Sequence, residues 1–81
     1  MTNIEKYNRI FMMILGANER DLDEDYTFAN IHEWDSLAHM HLIGELEDVF
    51  DILFETEEIL RFVSYENGKR ILERHGVSFG R

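Results

Sequence analysis

From Ser36 onward the apolar residues fall at a spacing that a strand cannot use. Leu42, Ile43, Leu46, Val49, Phe50 and Leu53 recur in steps of three and four. At ~100° per residue they gather on one broad face. This commits the middle of the chain to a helix packed against a core, predicted from Ser36 to about Phe50 and reaching at most Asp51. Glu33-Trp34-Asp35-Ser36-Leu37 leads into it, with an acid in a capping position and a serine beside it at the helix mouth. Leu37, Met40, Gly44, Glu47 and Asp51 fall roughly opposite the core face. Leu37 and Met40 are therefore expected on the solvent side among acids, a placement that core packing does not require.

The flanking segments read as further helices. Thr2-Asn3-Ile4-Glu5 has the form of a capping box, followed by Ile4, Tyr7, Ile10, Phe11, Ile14 and Leu15 at helical spacing and by Gly16 as a stop. Residues 17–34 show no sustained period, and Leu22, Phe28 and Ile31 are expected to pin them as a long loop. Thr56 is expected to cap a short third helix carrying Ile59, Leu60 and Phe62, with Glu57 and Glu58 at its positive end. Ser64 is expected to cap a fourth containing Tyr65, Ile71 and Leu72, ended by Gly76. Gly68 inside it costs about 1 kcal/mol relative to alanine and should soften it. The expected fold is all-α: a small four-helix bundle of three longer helices and one short one, with a long loop between the first two. It reads as one domain over residues 1–76 followed by a flexible tail, 77–81.

Charge narrows the function classes. Against 17 Asp and Glu stand 8 Lys and Arg, a formal charge of −9. This argues against nucleic acid as a partner and suits a protein that meets basic surfaces. No apolar run approaches the ~20 residues of a membrane span. There is no cysteine, hence no disulfide and no thiol nucleophile of the chain's own. A monomer in the cytoplasm, with no membrane partner, is the expectation.

Several chemistry-bearing patterns fail on spacing. Asp21, Asp23 and Asp25 match the first, third and fifth positions of a calcium loop, but Tyr26 stands where glycine is needed and His32 where a bidentate glutamate is needed. His39 and His41 are not spaced as helical metal ligands, and with His32 they predict no metal site. His39 is expected to line the interior and His41 the surface. Asp35, Ser36 and His39 do not make a hydrolase triad, which is assembled from separated segments. No catalytic residue is predicted. From Asp35 through Leu60, however, the chain carries eight Asp and Glu and no Lys or Arg. These acids surround Leu37 and Met40, an arrangement suited to steered, reversible docking on a basic surface.

Asp35-Ser36-Leu37, followed by Leu42-Ile43, Leu46-Glu47 and Phe50-Asp51-Ile52, resembles the signature of phosphopantetheine-binding carriers, and more specifically of acyl carrier proteins. The likeness extends over roughly Glu5 to Gly76. It implies that Ser36 bears a covalent 4'-phosphopantetheine arm, installed by a holo-carrier-protein synthase whose metal ion Asp35 helps to bind. The arm's thiol would hold acyl groups as thioesters for partner enzymes with basic docking patches. Leu37, Met40, His41, Glu47 and Asp48 would form the docking face. Met40, Leu46 and the apolar residues of the fourth helix would wall a cleft for the acyl chain.

The chain departs from the family where Gly-x-Asp-Ser-Leu is replaced by Glu33-Trp34-Asp35-Ser36-Leu37. His41 and Gly44 likewise stand where an acid and a larger apolar residue are common. These differences resemble carriers of specialised lipid, polyketide or related pathways rather than the housekeeping fatty-acid carrier. Two alternatives stay open: an aminoacyl or peptidyl carrier using the same serine, and an acidic helical adaptor in which Ser36 is only a cap.

Overall fold

The three longer helices each start where a short polar side chain can replace a missing intrahelical partner. In the computed structural model, which describes residues 1–80, α1 spans Asn3–Leu15. The Thr2 Oγ1 accepts the Glu5 N–H at 3.2 Å and the Glu5 carboxylate accepts the Thr2 N–H at 2.8 Å. Gly16 ends the helix at φ 70°, a left-handed conformation that glycine adopts without Cβ strain. A 3-10 turn, Glu19–Asp21, lies in the loop that follows. α2 spans Ser36–Phe50, α3 Thr56–Arg61 and α4 Tyr65–Arg74. The Ser64 Oγ accepts the Asn67 N–H at 3.0 Å and so caps α4. The cap of α3 lies one residue earlier than expected: Glu55 donates its N–H to the Glu58 carboxylate at 2.9 Å, and Thr56 is already helical.

The bundle closes on aromatic rings. Tyr7 and Phe11 of α1, Leu42, Ile43 and Leu46 of α2, and Leu72 of α4 are buried together with Trp34 and Phe62. Phe11 meets Trp34 and Tyr65 edge-on, with ring centroids 5.5 Å and 5.4 Å apart. Each such fully buried side chain contributes about 1.5–3 kcal/mol of apolar burial. The Tyr7 hydroxyl donates to the Tyr65 carbonyl at 2.8 Å, and burial raises that phenol's pKa well above the ordinary value.

Three expectations are corrected. On α2, Val49 and Leu53 lie outside the core, 39% and 80% exposed. Asp51 turns left-handed at φ 55°, so Leu53 lies beyond the helix and loses its phase. The loop is anchored chiefly by buried Tyr26 and Trp34; Leu22 and Ile31 pack against the core as expected, while Phe28, against the Trp34 ring, is 38% exposed. Gly68 does not lose by comparison with alanine, because it is buried where a Cβ would collide with the Phe62 ring and the Tyr7 hydroxyl. Residues 77–79, within the segment expected to be a tail, lie against the bundle. Val77 is buried, Phe79 lies 5.3 Å from the Tyr7 ring, and Asn3 donates to the Ser78 carbonyl at 2.9 Å. Arg81, the end of that expected tail, lies outside the described residues.

The long loop is fastened to the connection between α3 and α4. Phe28 donates its N–H to the Val63 carbonyl at 2.8 Å, and Tyr65 donates to the Tyr26 carbonyl at 2.9 Å. Thr27 and Ser64 thereby form an isolated antiparallel bridge. This brings Phe28 and Val63 to the same end of the molecule as the start of α2.

Candidate functional site

Asp35, not Ser36, caps α2. Its backbone is extended and its Oδ1 accepts the Ala38 N–H at 2.8 Å. Ser36 is the first helical residue and is exposed. Its hydroxyl therefore has no part in the cap, and it stands where first-turn N–H groups and the positive end of the helix dipole favour an anionic group. The residue types present fit a phosphodiester carried on that oxygen.

Ser36 opens onto an apolar cleft of about 310 Å³ between α2 and α3. His39 and Met40 line its α2 side, Ile59 and Leu60 its α3 side, and Phe62, Val63 and Phe28 complete it. Met40 therefore walls the cleft as expected, but Leu46 does not, being fully buried in the core. The opposing wall comes from α3 and the connection after it rather than from α4. Leu60 and Val63 are exposed apolar side chains like Leu37 and Met40, and no helical period in the sequence singles them out as cleft residues.

His39 faces inward and both its ring nitrogens are engaged. Trp34 donates its indole N–H to Nδ1 at 3.0 Å. That makes Nδ1 the acceptor, so Nε2 carries the hydrogen and donates to the Ile59 carbonyl at 2.8 Å. The imidazole thus joins the fully buried indole to the backbone of α3, and it stacks on the indole with centroids 6.1 Å apart.

The expected docking residues divide. Leu37 and Met40 are 70% and 54% exposed, and His41 and Asp48 are exposed beside them on α2. Met40, His41, Glu47 and Asp48 share a shallow depression with Gly44, Glu45 and Ile14, whereas Leu37 lies outside it. Glu47 is half-buried, and its Oε2 accepts the Phe54 N–H at 2.9 Å. It therefore holds the turn after α2, a role that helical spacing could not reveal.

Among the described residues no group of three or more His, Asp or Glu is placed to hold a metal ion. In the acidic loop the Asp23 Oδ1 instead accepts the Asp25 N–H at 2.9 Å. No helix there is long and apolar enough to cross a membrane.

No protein-family model matches the chain. Curated proteins do. The chain is 38% identical over 63 residues to the acyl carrier protein of Streptococcus pyogenes serotype M3, an alignment covering 78% of this chain and 84% of that protein. The acyl carrier proteins of Streptococcus pyogenes serotype M1 and Streptococcus thermophilus match with the same identity and coverage. With its four helices, its Asp-Ser-Leu at the head of α2 and these relatives, the chain belongs to the acyl carrier protein family.

Proposed function

We propose that this protein is a non-catalytic carrier that holds acyl groups on a 4'-phosphopantetheine arm attached to the Ser36 Oγ and delivers them to partner enzymes. The observation that carries the reading is an exposed serine released from capping by its neighbour Asp35 and opening onto an apolar cleft. When bound, the arm supplies a terminal thiol on which acyl groups ride as thioesters. First-turn N–H groups of α2 and the helix dipole stabilise the phosphodiester at Ser36. The Asp35 Oδ1 serves the cap, which leaves Oδ2 for the metal ion of the synthase that installs the arm.

Leu37, Met40, His41 and Asp48 form the docking face, set among acids that steer it toward basic patches on partners. The apolar lining of the cleft favours an acyl cargo over an aminoacyl one. The adaptor reading loses its main support because Ser36 is not the cap. The Trp34-containing entry to α2 favours a specialised lipid, polyketide or related pathway.

The test is incubation with coenzyme A, magnesium and a promiscuous phosphopantetheinyl transferase, followed by intact mass measurement. Wild type is expected to gain one arm and Ser36→Ala none. A wild-type chain left unmodified by several transferases would overturn the carrier reading.

A further inference from the structure

The cleft beside Ser36 is crossed by a polar strap. One wall is α2, the other α3, and the His39 Nε2–Ile59 carbonyl bond at 2.8 Å joins them directly. Behind the imidazole lies the Trp34 indole, 1% exposed, bonded to the other ring nitrogen at 3.0 Å. The imidazole, beside the Phe62 ring, therefore forms the layer between cleft and core, and both its nitrogens are spent on the protein. It offers no polar atom to a ligand. A ligand going deeper between α2 and α3 past the imidazole separates His39 from Ile59 and leaves a part-buried donor and acceptor without partners.

We infer that His39 is a positioning residue that, strapped between Trp34 and Ile59, fixes α3 against α2 and limits the cleft to short acyl chains. This rests on the reading of Ser36 as the arm-bearing residue. Short chains lie in the cleft under Met40, Ile59 and Val63; long chains stay in solvent unless the strap opens.

The test has two stages. In the unloaded chain, Trp34 is the single tryptophan, so its indole N–H gives one resonance. Hydrogen exchange at that N–H is expected to be slow in wild type and in His39→Gln, whose amide can accept from Trp34 and donate to Ile59, and fast in His39→Leu. The chain is then loaded at Ser36 with butanoyl or dodecanoyl pantetheine arms and treated with hydroxylamine. The nitrogen attacks the thioester carbonyl, the C–S bond breaks, and hydroxamate and the arm's thiol are released. A thiol reagent reads that thiol alone, since the chain has no cysteine.

Wild type and His39→Gln are expected to shield butanoyl and to leave dodecanoyl labile. His39→Leu should slow dodecanoyl release by roughly thirtyfold, the factor set by losing two hydrogen bonds of ordinary net strength, with butanoyl unchanged. If His39→Leu does not fold, Trp34→Phe removes one of the bonds and should shift the same ratio in the same direction. Equal changes for both chain lengths, or none, would overturn the strap as a length limit while leaving the carrier reading intact. Failure of Ser36 to take either arm would overturn both.

Discussion

At the scale of single residues, identity was legible further than partnership. The inward side of His39 followed from helical phase, but its partner Ile59 lies twenty residues away and no local pattern names it. Gly68 is the sharper case. Propensity alone makes it a defect worth about 1 kcal/mol against alanine. Its neighbours Phe62 and Tyr7 reverse the sign, because an added methyl has no room against the Phe62 Cε1, 2.6 Å from the Cβ position. Gly68→Ala is therefore expected to destabilise the fold by about 1–3 kcal/mol, the usual cost of overpacking. Urea denaturation followed by circular dichroism measures it, and a stabilised variant would mean that Phe62 moves aside freely.

At the scale of elements, helix limits were legible because capping is local chemistry. Thr2, Asp35, Ser64 and Gly16 sit where their side chains or backbone freedom demand. The start of α3 was displaced by one residue because the Glu58 carboxylate accepts the Glu55 N–H, which leaves Glu55 as the flanking residue and Thr56 already helical. The turn after α2 was not legible. Left-handed Asp51 and the bond from the Phe54 N–H to Glu47 fix it, with Phe54 buried and Leu53 projecting. Glu47→Lys is expected to cost about 1–2 kcal/mol by leaving that part-buried N–H without its acceptor, and Glu47→Gln less, since an amide oxygen remains. Asp48→Lys should slow arm uptake by a transferase while leaving the denaturation midpoint in place. Uptake assays beside denaturation curves separate these roles; a Glu47→Lys variant of wild-type stability would return Glu47 to the docking face.

At the scale of the whole molecule, the fold class and the charge balance were legible from periodicity and composition, and the aromatic closure of the core was not. Rings such as Trp34 and Tyr26 bury themselves from a loop that has no period to read. Acidity should also shape stability. Glu58 has its pKa lowered, first by the Glu55 N–H bond and then by the His75 side chain, whose Nε2 donates to both carboxylate oxygens at 2.9 Å and 3.0 Å. A carboxylate lowered in the folded state contributes stability that is fully present above the ordinary glutamate value, 4.5, and is lost as pH falls through the lowered folded value. Glu5, lowered by its bonds to Thr2, acts in the same direction. Thermal melts from neutral pH down to about pH 3 should show falling Tm, with a shallower fall in Glu58→Gln. An unchanged slope would show that the pairing has no weight in the acid limb.

The backbone bond between Phe28 and Val63 has a kinematic consequence. Both residues stand on the rim of the cleft, one from the long loop and one from the segment after α3. Because they are fastened to each other, the rim opposite α2 behaves as one jaw, and the loop cannot lift away while α3 stays behind. A displacement of the loop is therefore expected to reach the mouth of the cleft unless that bond breaks first.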